Sequence, residues 1–215
     1  MGKLFFYSDQ VSESPGNQRM DKMLFYGFDP NNIKIGYIPS TDDKERNYFQ
    51  TKVNYYRQYG ITDIRFFDLY EDFDSWQEED LLSCEIIHLS AGNPIEFRAA
   101  IKKRRMENVL LQYFNKGGII VGVSGGAVQL GKSANLFQLF IGGSSDGDLG
   151  TLNFVDFEFL PHFNRWNDDF KQSVLSYSES NGITVYAGND GDGLIVNEGG
   201  KVEMIGDIVV IENKK

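Results

Sequence analysis

The sequence predicts an α/β fold, a mostly parallel doubly wound sheet with helices on both faces. Three observations predict it. Short, nearly continuous apolar runs rich in β-branched and aromatic residues recur through the first two-thirds of the chain, as expected of strands buried on both sides. Segments with helical spacing separate them, which is the rhythm of βαβ units. After residue 150 the texture changes to further strand-like runs with a single helical segment, expected as extra strands at an edge of the sheet.

The strand runs of the first part cover residues 3–8, 33–38, 63–69, 85–90 and 118–123. Between them, residues 44–59 place Phe49, Val53 and Tyr56 at i, i+4 and i+7, on one helical face, and Gly60 follows as a C-cap. A second helix is expected from Asn93, a good N-cap, with Pro94 at the first helical position and Glu96 at capping-box spacing. It is expected to run through Leu110, Leu111 and Phe114 to Gly117. In the final third the strand runs are 153–160, 183–187, 193–197 and 201–212, with a helix around 168–177. Neither an internal repeat nor a low-complexity linker interrupts the 215 residues, so one domain over 1–215 is expected.

Composition narrows the function. With 41% apolar residues the chain can bury a core. Against 31 Asp and Glu stand 21 Lys and Arg, a net charge of −10 that repels a phosphate backbone, so nucleic acid is not an expected partner. No apolar run reaches the roughly 18 residues of a membrane span, and the opening residues lack a signal-peptide pattern. A cytoplasmic protein without a membrane partner is expected. One cysteine, Cys84, cannot form an internal disulfide, and with only His88 and His162 there is no zinc spacing, so no metal is expected.

Chemistry concentrates at 118–130. A buried strand runs into Gly122-Val123-Ser124-Gly125-Gly126 and then an apolar helix, the setting in which a sharp strand-to-helix turn presents a serine hydroxyl beside helix N–H groups. The pattern recurs at Gly143-Ser144-Ser145-Asp146-Gly147 without that setting, and there reads as a surface loop. Gly126 to Ser133 also satisfies the phosphate-loop spacing, with Gly131, Lys132 and Ser133 closing it. A nucleotide cradle would need a loop where Ala127 to Leu130 read as helix, and Asp156, the nearest magnesium partner, lies in an alternating strand pattern.

A serine nucleophile needs a base. His88 lies within a buried-strand run and reads as a packed histidine; His162, after Leu160-Pro161, sits where a strand gives way to a loop. The group orienting that base could be Asn189, Asp190 or Asp192, all in the loop Gly188-Asn189-Asp190-Gly191-Asp192-Gly193. A second oxyanion donor could come from Ser90-Ala91-Gly92-Asn93, where Gly92 permits close approach, although the same residues also make a helix entry capped by Asn93. Cys84 reads as buried packing.

In order along the chain, the opening strand, the strand 34–39, the Ala91-Gly92-Asn93 loop, the elbow at Ser124 and Leu160-Pro161-His162-Phe163 resemble peptidase family S51, which includes aspartyl dipeptidase and cyanophycinase. The resemblance spans nearly the whole chain. It implies a class I glutamine-amidotransferase-like α/β fold and a serine peptidase without metal or organic cofactor, acting on a small peptide substrate. By matching positions, Ser124 would be the nucleophile, His162 the base, and Gly92 and Gly125 the oxyanion donors. Two departures stand out. The family's usual elbow reads Ser-Ala-Gly-Ala, whereas Gly125 replaces the first alanine here. The orienting acid does not align uniquely, although counting back from Leu194 favours Asp190. An N-terminal aspartate preference would need a cation for its carboxylate, for which Arg165 is the nearest candidate in the chain, with Asn93 beside the site. A catalytically silent relative acting as a binding protein is the alternative within the same family.

Overall fold

In the computed structural model, which describes residues 1–142 and 148–212, the chain alternates strand and helix as the apolar runs require. The order is β1 (Lys3–Tyr7), α1 (Pro15–Leu24), β2 (Lys34–Ile38), α2 (Asn47–Arg57), β3 (Asp63–Phe66), α3 (Ser75–Leu82), β4 (Ile86–Leu89), α4 (Pro94–Lys103), α5 (Met106–Asn115), β5 (Ile119–Val123) and α6 (Gly125–Leu130). There follow α7 (Asn135–Ile141), β6 (Glu158–Leu160), α8 (Asp168–Asn181), β7 (Val185–Gly188), β8 (Gly193–Val196), β9 (Val202–Ile205) and β10 (Ile208–Ile211).

The main sheet runs β3-β2-β4-β5-β1-β8-β9. Its first five strands pair in parallel, and β8 and β9 complete one edge antiparallel. Successive side chains of β1 go to opposite faces: Leu4 and Phe6 join one buried cluster, Phe5 and Tyr7 the other. Because both clusters are nearly water-free, both faces need helical cover, and the near-continuous apolar strands follow from that.

Three expectations are corrected. The helix expected over 93–117 is two helices, because Arg105 adopts a left-handed backbone (φ 58°) and the turn lets Phe97 and Ile101 on one side and Met106 and Leu110 on the other reach the same core. Arg104, at the break, donates to the Leu69 carbonyl. The strand expected over 153–160 is confined to β6: the N–H groups of Leu152 and Phe154 instead bond the carbonyls of Gln129 and Leu130, so this stretch, with Asp156 in a bend, wraps the end of α6. The run 201–212 breaks at Gly206 (φ 83°) into β9 and β10, which enter different sheets. So the final third does more than extend an edge. β10, β7 and β6 form a separate three-stranded sheet, packed through Leu160, Val185 and Ala187 on Leu136 and Val174 of the adjoining helices. The Gly143 to Gly147 motif lies outside the described residues.

Candidate active site

In a parallel sheet the carboxyl ends of adjacent strands open onto one crevice. β4, β5 and β1 are neighbours, so the loops after Leu89, Val123 and Tyr7 meet there. The Ser124 N–H donates to the Tyr7 carbonyl (2.9 Å), which continues the β5–β1 ladder by one residue before the chain turns into α6. Ser124 makes that turn at φ 50°, ψ −113°, a conformation costing on the order of 1–3 kcal/mol that only surrounding structure can hold. The same turn places Gly125 against the loop after β4: a Cβ at position 125 would lie 1.9 Å from the Gly92 carbonyl oxygen. Glycine is therefore needed at 125 for the two loops to approach this closely. As the first residue of α6, Gly125 has an N–H with no intrahelical partner.

The small sheet brings the other half. β6 and β7 pair in parallel, so the loops that follow them, with His162 and Asp190, lie side by side. The Ser8 hydroxyl, fully buried, clamps this sheet to the main one: it accepts the His162 N–H (2.7 Å) and donates to the Gly188 carbonyl (3.0 Å). Thus held, with φ 60° and ψ 34°, His162 places Nε2 2.8 Å from Ser124 Oγ and Nδ1 2.6 Å from Asp190 Oδ1. An ionised carboxylate only accepts, so Nδ1 carries the proton and Nε2 is left to accept from the serine hydroxyl.

The second Asp190 oxygen accepts from Arg165 Nε (2.7 Å) and Asn164 Nδ2 (3.1 Å), while Asn164 Oδ1 accepts the Asp190 N–H (2.9 Å). Burial pushes this carboxyl up, but the bonds from His162, Arg165 and Asn164 outweigh it and hold it below the usual carboxylate range. Arg165 also donates from Nη2 to Asp9 (3.0 Å). Asp9, His162 and Asp190 have ligand atoms close enough to share a cation, yet the guanidinium already joins both carboxylates.

A cavity of about 90 Å³ opens at Ser124, between Gly92, Gly125 and His162 on one side and Leu136, Phe137, Phe140, Leu160 and Trp166 on the other. A strained serine at a strand end, a tautomer-fixed imidazole, a half-buried acid behind it and a cleft reaching the serine and the imidazole form an arrangement able to generate an alkoxide beside a bound carbonyl.

The family model of Peptidase family S51 matches residues 4–205. The chain belongs to this family. Among solved structures, a protein assigned as peptidase E from Listeria monocytogenes EGD-e is similar to it at 17% identity with a TM-score of 0.71, over 99% of this chain and 98% of that one. A peptidase from an acI-B1 Actinobacterium is similar at 16% identity and a TM-score of 0.73, over 99% of this chain and 91% of that one. At such identities the likeness is one of fold. None of the curated proteins compared with the chain matches it. As an S51 member the chain is a peptidase by family.

Of the residues singled out in the sequence, Ser124, His162, Asp190, Gly92 and Gly125 come together. The Nδ1 partner is Asp190 and neither Asn189 nor Asp192: the Asn189 backbone carbonyl accepts the Asp192 N–H, and the Asp192 carboxylate accepts from the Asp207 N–H. Asn93 uses Oδ1 to cap α4, accepting from Ile95 and Glu96. Arg165 is committed to two carboxylates of the protein itself rather than left open for a ligand's. The phosphate-loop reading fails on geometry, since Gly126 to Leu130 are buried helix and Ser133 donates to Glu158. His88 is a packed histidine, stacked on Tyr37 and bonded to Tyr56, with burial holding it well below its ordinary value. Cys84 is buried, its thiol pushed up to about 11 by desolvation. Sequence reasoning missed Ser8, Asp9 and Asn164. Their position at the ends of runs that precede a turn was visible, but nothing local says that these ends meet.

Proposed function

We propose that this S51 peptidase hydrolyses short peptides as a serine enzyme through Ser124, His162 and Asp190. One observation carries the reading: the continuous hydrogen-bonded path from Ser124 Oγ through both imidazole nitrogens to Asp190. In the first step His162 Nε2 takes the hydroxyl proton as Oγ attacks the peptide carbonyl, and the oxygen that gains charge is met by the N–H groups of Gly92 and Gly125. The imidazolium, stabilised by Asp190, then protonates the leaving amine, and the acyl group stays on Ser124. Water then attacks the acyl carbon while giving a proton to Nε2, and as the bond to Oγ breaks the imidazole returns that proton to Ser124 and the acid leaves.

The narrow cleft supports a short substrate. Product analysis by mass spectrometry over a dipeptide library, with the wild type and Ser124→Ala, tests the reading. Hydrolysis is expected from the former alone, with a fluorophosphonate labelling Ser124. Turnover retained by Ser124→Ala, or a chain that neither cleaves nor labels, would leave the silent binding protein as the better description.

A further inference from the structure

The cavity beside Ser124 has a chemical character of its own. α7 reads Asn-Leu-Phe-Gln-Leu-Phe-Ile and presents Leu136, Phe137 and Phe140 to it, while Leu160 and Trp166 close the far wall. The wall is built rather than incidental. Trp166 is fixed by donating Nε1–H to the Pro161 carbonyl (2.8 Å), and its ring lies 4.4 Å from Phe140 and 5.2 Å from Phe170. Phe140 nevertheless remains 47% exposed, a large apolar side chain left at the rim of a cleft.

Among the described residues lining the cavity, His162 is the only ionisable one. Arg165 is held by Asp190 and Asp9. A carboxylate entering here would lose its water without gaining a partner, whereas an aliphatic or aromatic group would exchange water for rings. At about 90 Å³ the space holds several waters, on a scale where one needs about 10–15 Å³, and so suits one side chain.

We infer that this cavity selects an apolar side chain, leucine- or phenylalanine-like, on the residue whose carbonyl Ser124 attacks, in place of an acidic one. The inference rests on the hydrolytic reading above. The acyl side is assigned because Gly92, Ser124 and Gly125 themselves line the cavity: a carbonyl carbon attacked by Ser124 and held by the N–H groups of Gly92 and Gly125 sits at its mouth, one bond from the Cα whose substituent would enter it.

The test compares kcat/KM for Leu-Ala, Phe-Ala, Asp-Ala and Ala-Phe, and in parallel the protection each gives Ser124 against a fluorophosphonate. Leu-Ala and Phe-Ala are expected to exceed Asp-Ala on the order of 10²-fold, since burying an apolar group and stranding a charged one act together. Phe140→Arg, at a half-exposed position, is expected to close at least about tenfold of that gap by improving Asp-Ala. Cleavage or protection that favours Asp-Ala, ranks the dipeptides equally, or prefers Ala-Phe to Phe-Ala overturns the inference while leaving the serine mechanism standing. A Ser124 that neither labels nor cleaves any of the four removes the mechanism and the inference with it.

Discussion

Arg165→Met separates two roles for the guanidinium, orienting Asp190 or receiving a substrate carboxylate. In the wild type, Nε bonds Asp190 and Nη2 bonds Asp9. Without the cation, two carboxylates with atoms within 4.8 Å of each other and of the imidazole lose their common partner; at that distance they repel by about 0.9 kcal/mol in water and about 3.5 kcal/mol at an effective dielectric of about 20. The side chain of Arg165 is 53% exposed, so the watery end of that range applies. To it is added the lost charge-assisted hydrogen bond, about 1 kcal/mol at such exposure. On the order of 1–2 kcal/mol of the energy that holds Asp190 in place against Nδ1 is therefore at stake, a fall in kcat of about 5- to 30-fold if all of it is lost from the transition state. His162 and Asn164 still hold Asp190, so activity should not vanish. The Asp190 carboxyl, having lost one of the donors that depress it, rises, and the acid limb of the activity profile should move to higher pH. The assay is kcat and KM for one cleaved dipeptide from pH 4 to 9. An increase in KM with kcat and the acid limb unmoved would refute the positioning role and restore the substrate-binding one.

Other consequences are as direct. Asp190→Asn should lower kcat by about 10³–10⁴-fold through loss of the tautomer-fixing acid, whereas Asp192→Asn should leave it within about twofold; steady-state rates on the two variants decide between them. Ser8→Ala removes both bonds of the clamp between the sheets and takes the hydroxyl from a part-buried N–H and a buried carbonyl, so urea unfolding should show a loss of about 1–3 kcal/mol, accompanied by a lower kcat. Asp21 accepts from the hydroxyls of Tyr7, Tyr55 and Tyr59, yet burial outweighs those bonds and raises its carboxyl. A raised carboxyl contributes fully below the unfolded value near about 4 and loses that contribution as pH rises through the folded value. The stability of wild type relative to Asp21→Asn should therefore decline as pH climbs through that window, and denaturant melts at stepped pH would show a flat difference if the burial argument is wrong.

The sequence by itself determined the alternation of strands and helices, the elbow at Ser124 and the loop position of His162. These follow from apolar periodicity and from glycines beside a strand end, which act within a few residues of one another. Tertiary structure decided how distant segments meet. Counting back from Leu194 favoured Asp190 over Asn189 and Asp192, but that its carboxylate meets His162 depends on the parallel pairing of β6 with β7, which no local pattern encodes. The same applies to Ser8, whose hydroxyl reaches from the end of β1 to the ends of two strands more than 150 residues away. Arg165 had a visible charge but no visible partner: whether it faces a ligand or an aspartate depends on what the fold brings within 3 Å. The division has a physical cause, because local backbone preference and side-chain periodicity are short-ranged, while the contacts that bring Ser124, His162 and Asp190 together come from packing one sheet on another.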